Sequence, residues 1–187
     1  MNSMRKIICF VFAVVLILTC SAAFSQSFIM VMKALDGTTK LNGESIVAGH
    51  ANEIDLYSYS QGVSNCGTIN CVTSISDFSF MTKFTGATIA FKRLSLTGTK
   101  LPSVDVTFIR PGATAFIFYK IHMENVFVTS VQESGSAGGD NTPTVAVSLT
   151  AARIAWQYTI QKSDGTVGAK TTFGWDVATN QPWTFVF

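Results

Sequence analysis

Beyond its first 25 residues the chain carries few groups suited to catalysis: two histidines, His50 and His122, two cysteines, Cys66 and Cys71, and one close carboxylate pair, Glu53 and Asp55. A hydrolase could use a histidine held by a carboxylate beside a serine, or two carboxylates driven to different pKa values. Neither histidine has a Ser-Asp pattern near it, and no His-x-x-x-His lies on a helical stretch. Glu53 and Asp55 alternate onto one face of a strand, where such pairs serve as salt-bridge or subunit-interface partners, and no second acidic pair supports a site. The run SGSAGGDN, Ser134–Asn141, lacks the Gly-Lys-Ser/Thr ending and the following helix that a phosphate cradle needs, so it reads as a strand connection on the surface. The sequence predicts no enzyme, no cofactor and no metal site.

The cysteine pair is read through the N-terminus. Arg5 and Lys6 precede an apolar run from Ile7 to Leu18, followed by small residues from Ser21 to Ser25. That is the pattern of an export signal, 1–25, cleaved before Gln26; a retained anchor and a lipidated Cys20 fit less well. The run is shorter than the roughly 20 apolar residues that span a bilayer. Cleavage leaves one domain, 26–187, exported to the periplasm or the medium. Cys9 and Cys20 depart with the signal, and an even pair in an exported chain favours a Cys66–Cys71 disulfide closing the CGTINC loop. The alternatives for C-x4-C, metal or redox chemistry, would need further ligands. Removing Arg5 and Lys6 from 13 basic residues leaves 11 against 11 acidic ones, with no basic stretch interleaved with aromatics, which excludes nucleic acid as a partner.

The elements that must position these residues are strands. Alternating, β-branched and aromatic stretches occur at 28–35, 53–60, 75–84, 104–109, 115–123, 126–131, 145–151, 153–160 and 169–175. One helix is predicted from Gly86 to Ser95, with Thr85 as N-cap and Ala87, Ala90, Phe91 and Leu94 on its buried face; Lys92 and Arg93 sit in the last turn, towards the C-terminal dipole, and Gly98 ends it. Nine strands and one helix predict a mainly β fold, a closed or nearly closed barrel. Gly62–Ser74 is expected to be an extended loop. In 153–160, Ile154, Trp156, Tyr158 and Ile160 make the packed face and Ala155, Gln157, Thr159 and Gln161 the polar one. The tail alternates Trp183, Phe185 and Phe187. An outer-membrane barrel would need an even number of strands and no amphipathic helix in mid-chain, so the chain is not read as an integral membrane protein, and the tail is expected to dock on a neighbouring subunit.

Several motifs occur in order: GESIVAGHANEIDLYSYSQG (Gly43–Gly62), FMTKF (Phe80–Phe84), LTG (Leu96–Gly98), YKIHMENVFVTSV (Tyr119–Val131), GSAGGDNTPTVAVSL (Gly135–Leu149) and YTIQKSDGTVGAKTTFGWDVATN (Tyr158–Asn180). Together they resemble the Hcp family, the haemolysin-coregulated tube proteins of type VI secretion. The resemblance implies a β-barrel with one flanking helix, a homo-oligomer built as a hexameric ring, rings stacking into a tube, and a lumen able to hold small effector proteins. It also implies that the loop after Ser60, with Gly62, Val63, Ser64, Asn65 and Gly67, reaches a neighbouring subunit or ring. Tube subunits of the secretion machine assemble in the cytoplasm, so either the apolar N-terminus is not used as a signal or this is an exported relative, and the cysteine pair favours the second. The reading from a different class is a monomeric exported barrel that holds a carbohydrate or a partner protein at the cell surface through loops such as Gly62–Ser74 and Ser134–Asn141.

Overall fold

A computed structural model describes residues 28–65, 67, 73–112, 114–136 and 142–187. The predicted signal 1–25, Cys66 and Cys71, and residues 137–141 of the Ser134–Asn141 connection lie outside the described residues.

Among the described residues eleven strands follow in order: β1 (Ile29–Asp36), β2 (Thr39–Lys40), β3 (Ile54–Ser60), β4 (Val63–Ser64), β5 (Ser74–Ile75), β6 (Phe78–Lys83), β7 (Leu101–Arg110), β8 (Phe116–Ser134), β9 (Thr144–Gln161), β10 (Val167–Asp176) and β11 (Gln181–Pro182), with helix α1 (Gly86–Thr97) between β6 and β7. Six of them close a barrel in the order β9-β6-β3-β1-β7-β8, because β8 pairs back onto β9. Closure leaves these six strands without a free edge. Strands β2, β10 and β11 extend the same sheet, while β4 and β5 form a separate ladder. The fold is mainly β, a closed barrel with extra strands and, among the described residues, a single helix, as the sequence predicts.

The strand boundaries differ in a way that explains the barrel. Four predicted strands are the halves of two long ones, β8 and β9, which pair along most of their length. Glu124-Asn125 carries a turn signal, and Asn125 does take a left-handed backbone with φ 49°. It bends β8 without reversing it, since Glu124 still faces Arg153 and Val126 still faces Ala151.

A second difference lies in β3. The register with β6 slips between Leu56 and Ser58, so the alternation restarts after Tyr57. Tyr59 pairs with Phe80, stacks on Phe78 (5.7 Å between ring centroids) and meets Phe108 edge-on (4.9 Å), while staying 38% exposed.

Helix α1 runs one residue pair further than expected, to Thr97, and ends at Gly98 in the left-handed region (φ 62°). At its start the Thr85 N–H donates to Thr88 Oγ1 (3.1 Å), and Ala87, Thr88, Phe91 and Leu94 face the barrel. Phe91 meets Phe80 edge-on at 5.8 Å, placing the helix against the apolar interior. The longer helix takes Lys92 and Arg93 out of the last turn. They pair instead with Glu133 on β8 and Asp36 at the end of β1, so ion pairs and not the helix dipole account for them.

Candidate functional site

The segment Gly43–Glu53 folds back along the start of β3. A Cβ at Gly43 would lie 2.1 Å from the Glu53 carbonyl oxygen, so only glycine allows the close approach that lets the Gly43 N–H donate to Asn52 O (3.0 Å) and the Ser45 N–H to Glu53 O (3.0 Å). His50 Nδ1 sits 2.8 Å from Glu53 Oε2 and ties the segment's end. Ile46 is left at the surface, 96% exposed. Glu53 is thus a structural partner of His50, while Asp55 receives the Thr82 hydroxyl on its backbone carbonyl (2.8 Å); the two carboxylates do not converge on a site.

After β3 the chain forms a short ladder where a loop was expected: Val63 pairs with Ile75 and Ser64 with Ser74. Ser76 clamps its base, accepting the Gly62 N–H on Oγ (2.7 Å) and donating its own N–H to Gly62 O (2.9 Å). Gly62, Val63, Ser64, Asn65 and Gly67 are all exposed, and the Asn65 side-chain oxygen accepts the Gly67 N–H at 2.8 Å. The predicted Cys66–Cys71 disulfide is corrected. No disulfide bond occurs among the described residues, the two cysteines lie outside them, and the contacts seen to close the loop's base are the β4–β5 ladder and Ser76.

This ladder borders an apolar groove of about 510 Å³. Val63 and Ile75 form one side, and Tyr119, Trp156, Phe173 and Trp175 the other. The Trp156 indole N–H donates to Gln61 Oε1 (3.0 Å), and its ring lies parallel to Phe173, its cross-strand neighbour, with centroids 6.3 Å apart. Burial pushes the Tyr119 phenol up to about 12, with Tyr59 adding to the shift. The sequence marks this wall through the alternation of Ile154, Trp156, Tyr158 and Ile160, but that face is buried only at its start. Ile154 is 1% exposed, whereas Tyr158 and Ile160 are 44% and 48% exposed.

On the opposite face Gln157 and Thr159, expected to be solvated, are buried instead. Gln157 Nε2 donates to Thr172 Oγ1 on β10 (3.4 Å). After β11 the chain crosses the outside of β8 and β9, and Gly174 makes room for it, since a Cβ there would meet the Trp183 carbonyl oxygen at 2.5 Å. Asp105, His122 and Ala155 form one cross-strand row beneath it. Phe185 stacks flat on His122, with centroids 3.8 Å apart and planes 9° apart, and His122 Nδ1 lies 2.6 Å from Asp105 Oδ1. Arg153 sits under Trp183 at 5.6 Å and bonds Asp176 through Nε (2.7 Å). That bond, with the Thr179 N–H on its other oxygen, holds the Asp176 carboxyl below its usual range, and the same contact raises the Arg153 guanidinium. Phe187 borders a small cavity with Thr107 and Lys120. Trp183, Phe185 and Phe187 are therefore half-buried on their own barrel. The Asp105–His122 pair has the geometry of a catalytic dyad, yet its imidazole is covered by Phe185 and its second nitrogen faces Glu124 at 3.6 Å instead of a hydroxyl nucleophile.

Among the described residues no group of three or more His, Cys, Asp or Glu side chains could hold a metal ion, and no helix is long and apolar enough to cross a membrane. Sequence reasoning did not foresee the groove or the dyad. Trp175, Phe173 and Tyr119 carried a signal for the first in their aromatic content, but the cross-strand rows that create both depend on register.

Comparison with known proteins places these features. Residues 32–158 match the family described as "Type VI secretion system effector, Hcp". Protein hcp1 of Pseudomonas aeruginosa is 29% identical over 149 residues, covering 75% of this chain and 91% of that protein. Hcp1 from Salmonella typhimurium superposes with a TM-score of 0.71 at 21% identity, covering 84% of this chain and 100% of that one. A type VI secretion system effector from Yersinia pestis gives 0.65 at 24%, covering 79% and 99%. At such identities the structures show the shared fold, and the family match spans most of the barrel. The chain belongs to the Hcp family of type VI secretion system proteins.

Proposed function

We propose that this chain is the subunit of a homo-oligomeric ring, six copies closing on themselves and rings stacking into a tube whose lumen can carry small effector proteins. The reading includes export: residues 1–25 act as a signal removed before Gln26, and the ring operates in the periplasm or outside the cell. Membership of the Hcp family supports the ring. The observation on this chain that carries it is the outer edge of β10. One edge of that strand pairs with β9; the other is covered by β11 only at Trp175 and Asp176, and by the Trp183 N–H at Gly174. From Val167 to Phe173 the strand is largely exposed and its far edge is open among the described residues. An open edge of that length invites pairing with another chain, and a closed ring is the symmetric way to satisfy it in every copy. In this reading Gly62, Val63, Ser64, Asn65 and Gly67 contact a neighbouring copy, as do the outward sides of Trp183, Phe185 and Phe187.

Two adjacent proline variants test the edge. Successive N–H groups of a strand point to opposite edges, so of Lys170→Pro and Thr171→Pro one breaks the β9 ladder and the other blocks the open edge. The edge-blocking variant is expected to keep its melting temperature and remain a monomer. If that variant assembles like the parent, the edge has no part in the ring.

A further inference from the structure

We infer that in the unprocessed chain the apolar segment Ile7–Leu18 seats in the groove between the β4–β5 ladder and the Tyr119–Trp156–Phe173 wall. A 12-residue run without a charge is costly to leave in water, at about 25 cal/mol per Å² of apolar surface. Where the described chain begins decides what it can cover. Phe28 packs at the barrel mouth, its ring 6.3 Å from Phe108 and 6.1 Å from Phe118, and Phe108 in turn lies 5.0 Å from Tyr119, which lines the groove. The described chain therefore begins at the barrel mouth that the groove borders. Nine residues, 19–27, separate Leu18 from Phe28, a reach of up to about 30 Å at roughly 3.3 Å per residue. The groove is predominantly apolar, and its volume, that of a site for one drug-sized ligand, takes a few side chains from one face of the segment and not all twelve residues. Connection to the same chain adds an effective concentration that no separate partner of equal affinity has.

The seat stands whether or not the chain forms rings. Only its consequence, that removing residues 1–25 bares the groove, rests on the export reading.

The segment's own Cys9 supplies the test. Full-length chain is made by cell-free synthesis without membranes, so that it is not processed, with Cys20→Ser, Cys66→Ser and Cys71→Ser leaving Cys9 as the one native thiol. A second thiol is placed in the groove by Phe173→Cys or, on its other wall, by Val63→Cys. The control is Ser58→Cys, exposed and two residues past Leu56, which pairs with Met30 near the segment's exit. Oxidation is expected to join Cys9 to either groove position at least tenfold faster than to the control, as an intramolecular product. Adding Val14→Asp and Leu16→Asp should erase that preference. Equal rates at groove and control positions would overturn the inference, and so would a cross-linked dimer, which would give the groove to a second copy. Native mass of the 26–187 chain reads ring formation separately, so failure of the seat and failure of the ring are distinguishable.

Discussion

At the scale of single residues the most constrained position is Gly43, because the atom that any other residue would add collides with backbone and not with a flexible side chain. Gly43→Ala must push the 43–53 segment off β3 and is expected to cost about 1–3 kcal/mol, as overpacking does, read as a lower urea midpoint at unchanged m-value. Tyr119 gives a pH-dependent counterpart. Its folded pKa is raised from 10.0 to about 12, so the neutral phenol is favoured by folding; its contribution is complete below pH 10 and is lost as pH rises towards 12. The stability difference between the parent and Tyr119→Phe should hold constant up to pH 10 and then move against the parent. Asp176 has the opposite sign. Its lowered pKa means that the Arg153 contact stabilises above the unfolded carboxyl range and is lost as pH falls through the folded value, a loss that Asp176→Asn should not show.

At the scale of elements, α1 and the C-terminal tail cover opposite sides of the barrel wall. Phe91, fully buried and edge-on to Phe80, anchors the helix, and Phe91→Ala is expected to cost about 3–5 kcal/mol in chemical unfolding. Phe185→Ala removes a stacked aromatic contact of about 0.5–1.5 kcal/mol, and it should lower the melting temperature of the monomer because Phe185 packs on His122 of its own chain. The element types were legible in the sequence: the helix with its Thr85 start and Gly98 stop, and the strands by alternation. Their lengths were not, because Asn125 offers the same left-handed backbone whether it turns a chain or bends a strand, and only the partner β9 decides. Faces were lost for a similar reason. The slip at Tyr57 and the burial of Gln157, whose amide reaches Thr172 on β10, are tertiary facts that no local period contains. Of the candidate contact residues, sequence reasoning found the exposed turn at Gly62–Asn65 but expected Trp183, Phe185 and Phe187 to be freer than they are.

At the scale of the whole molecule, a near-neutral chain with a closed core presents to solvent an open strand edge, an apolar groove and Ile46 at the tip of a tied segment. None of these is a substrate pocket with converging ionisable groups, and all are surfaces that a second protein segment could cover. That distribution suits a subunit that assembles with copies of itself. The most direct measurement is native mass with electron microscopy on the protein recovered from periplasm and medium. Six-fold rings of chains beginning near Gln26 are expected; a processed monomer at the same concentration would rule the ring out.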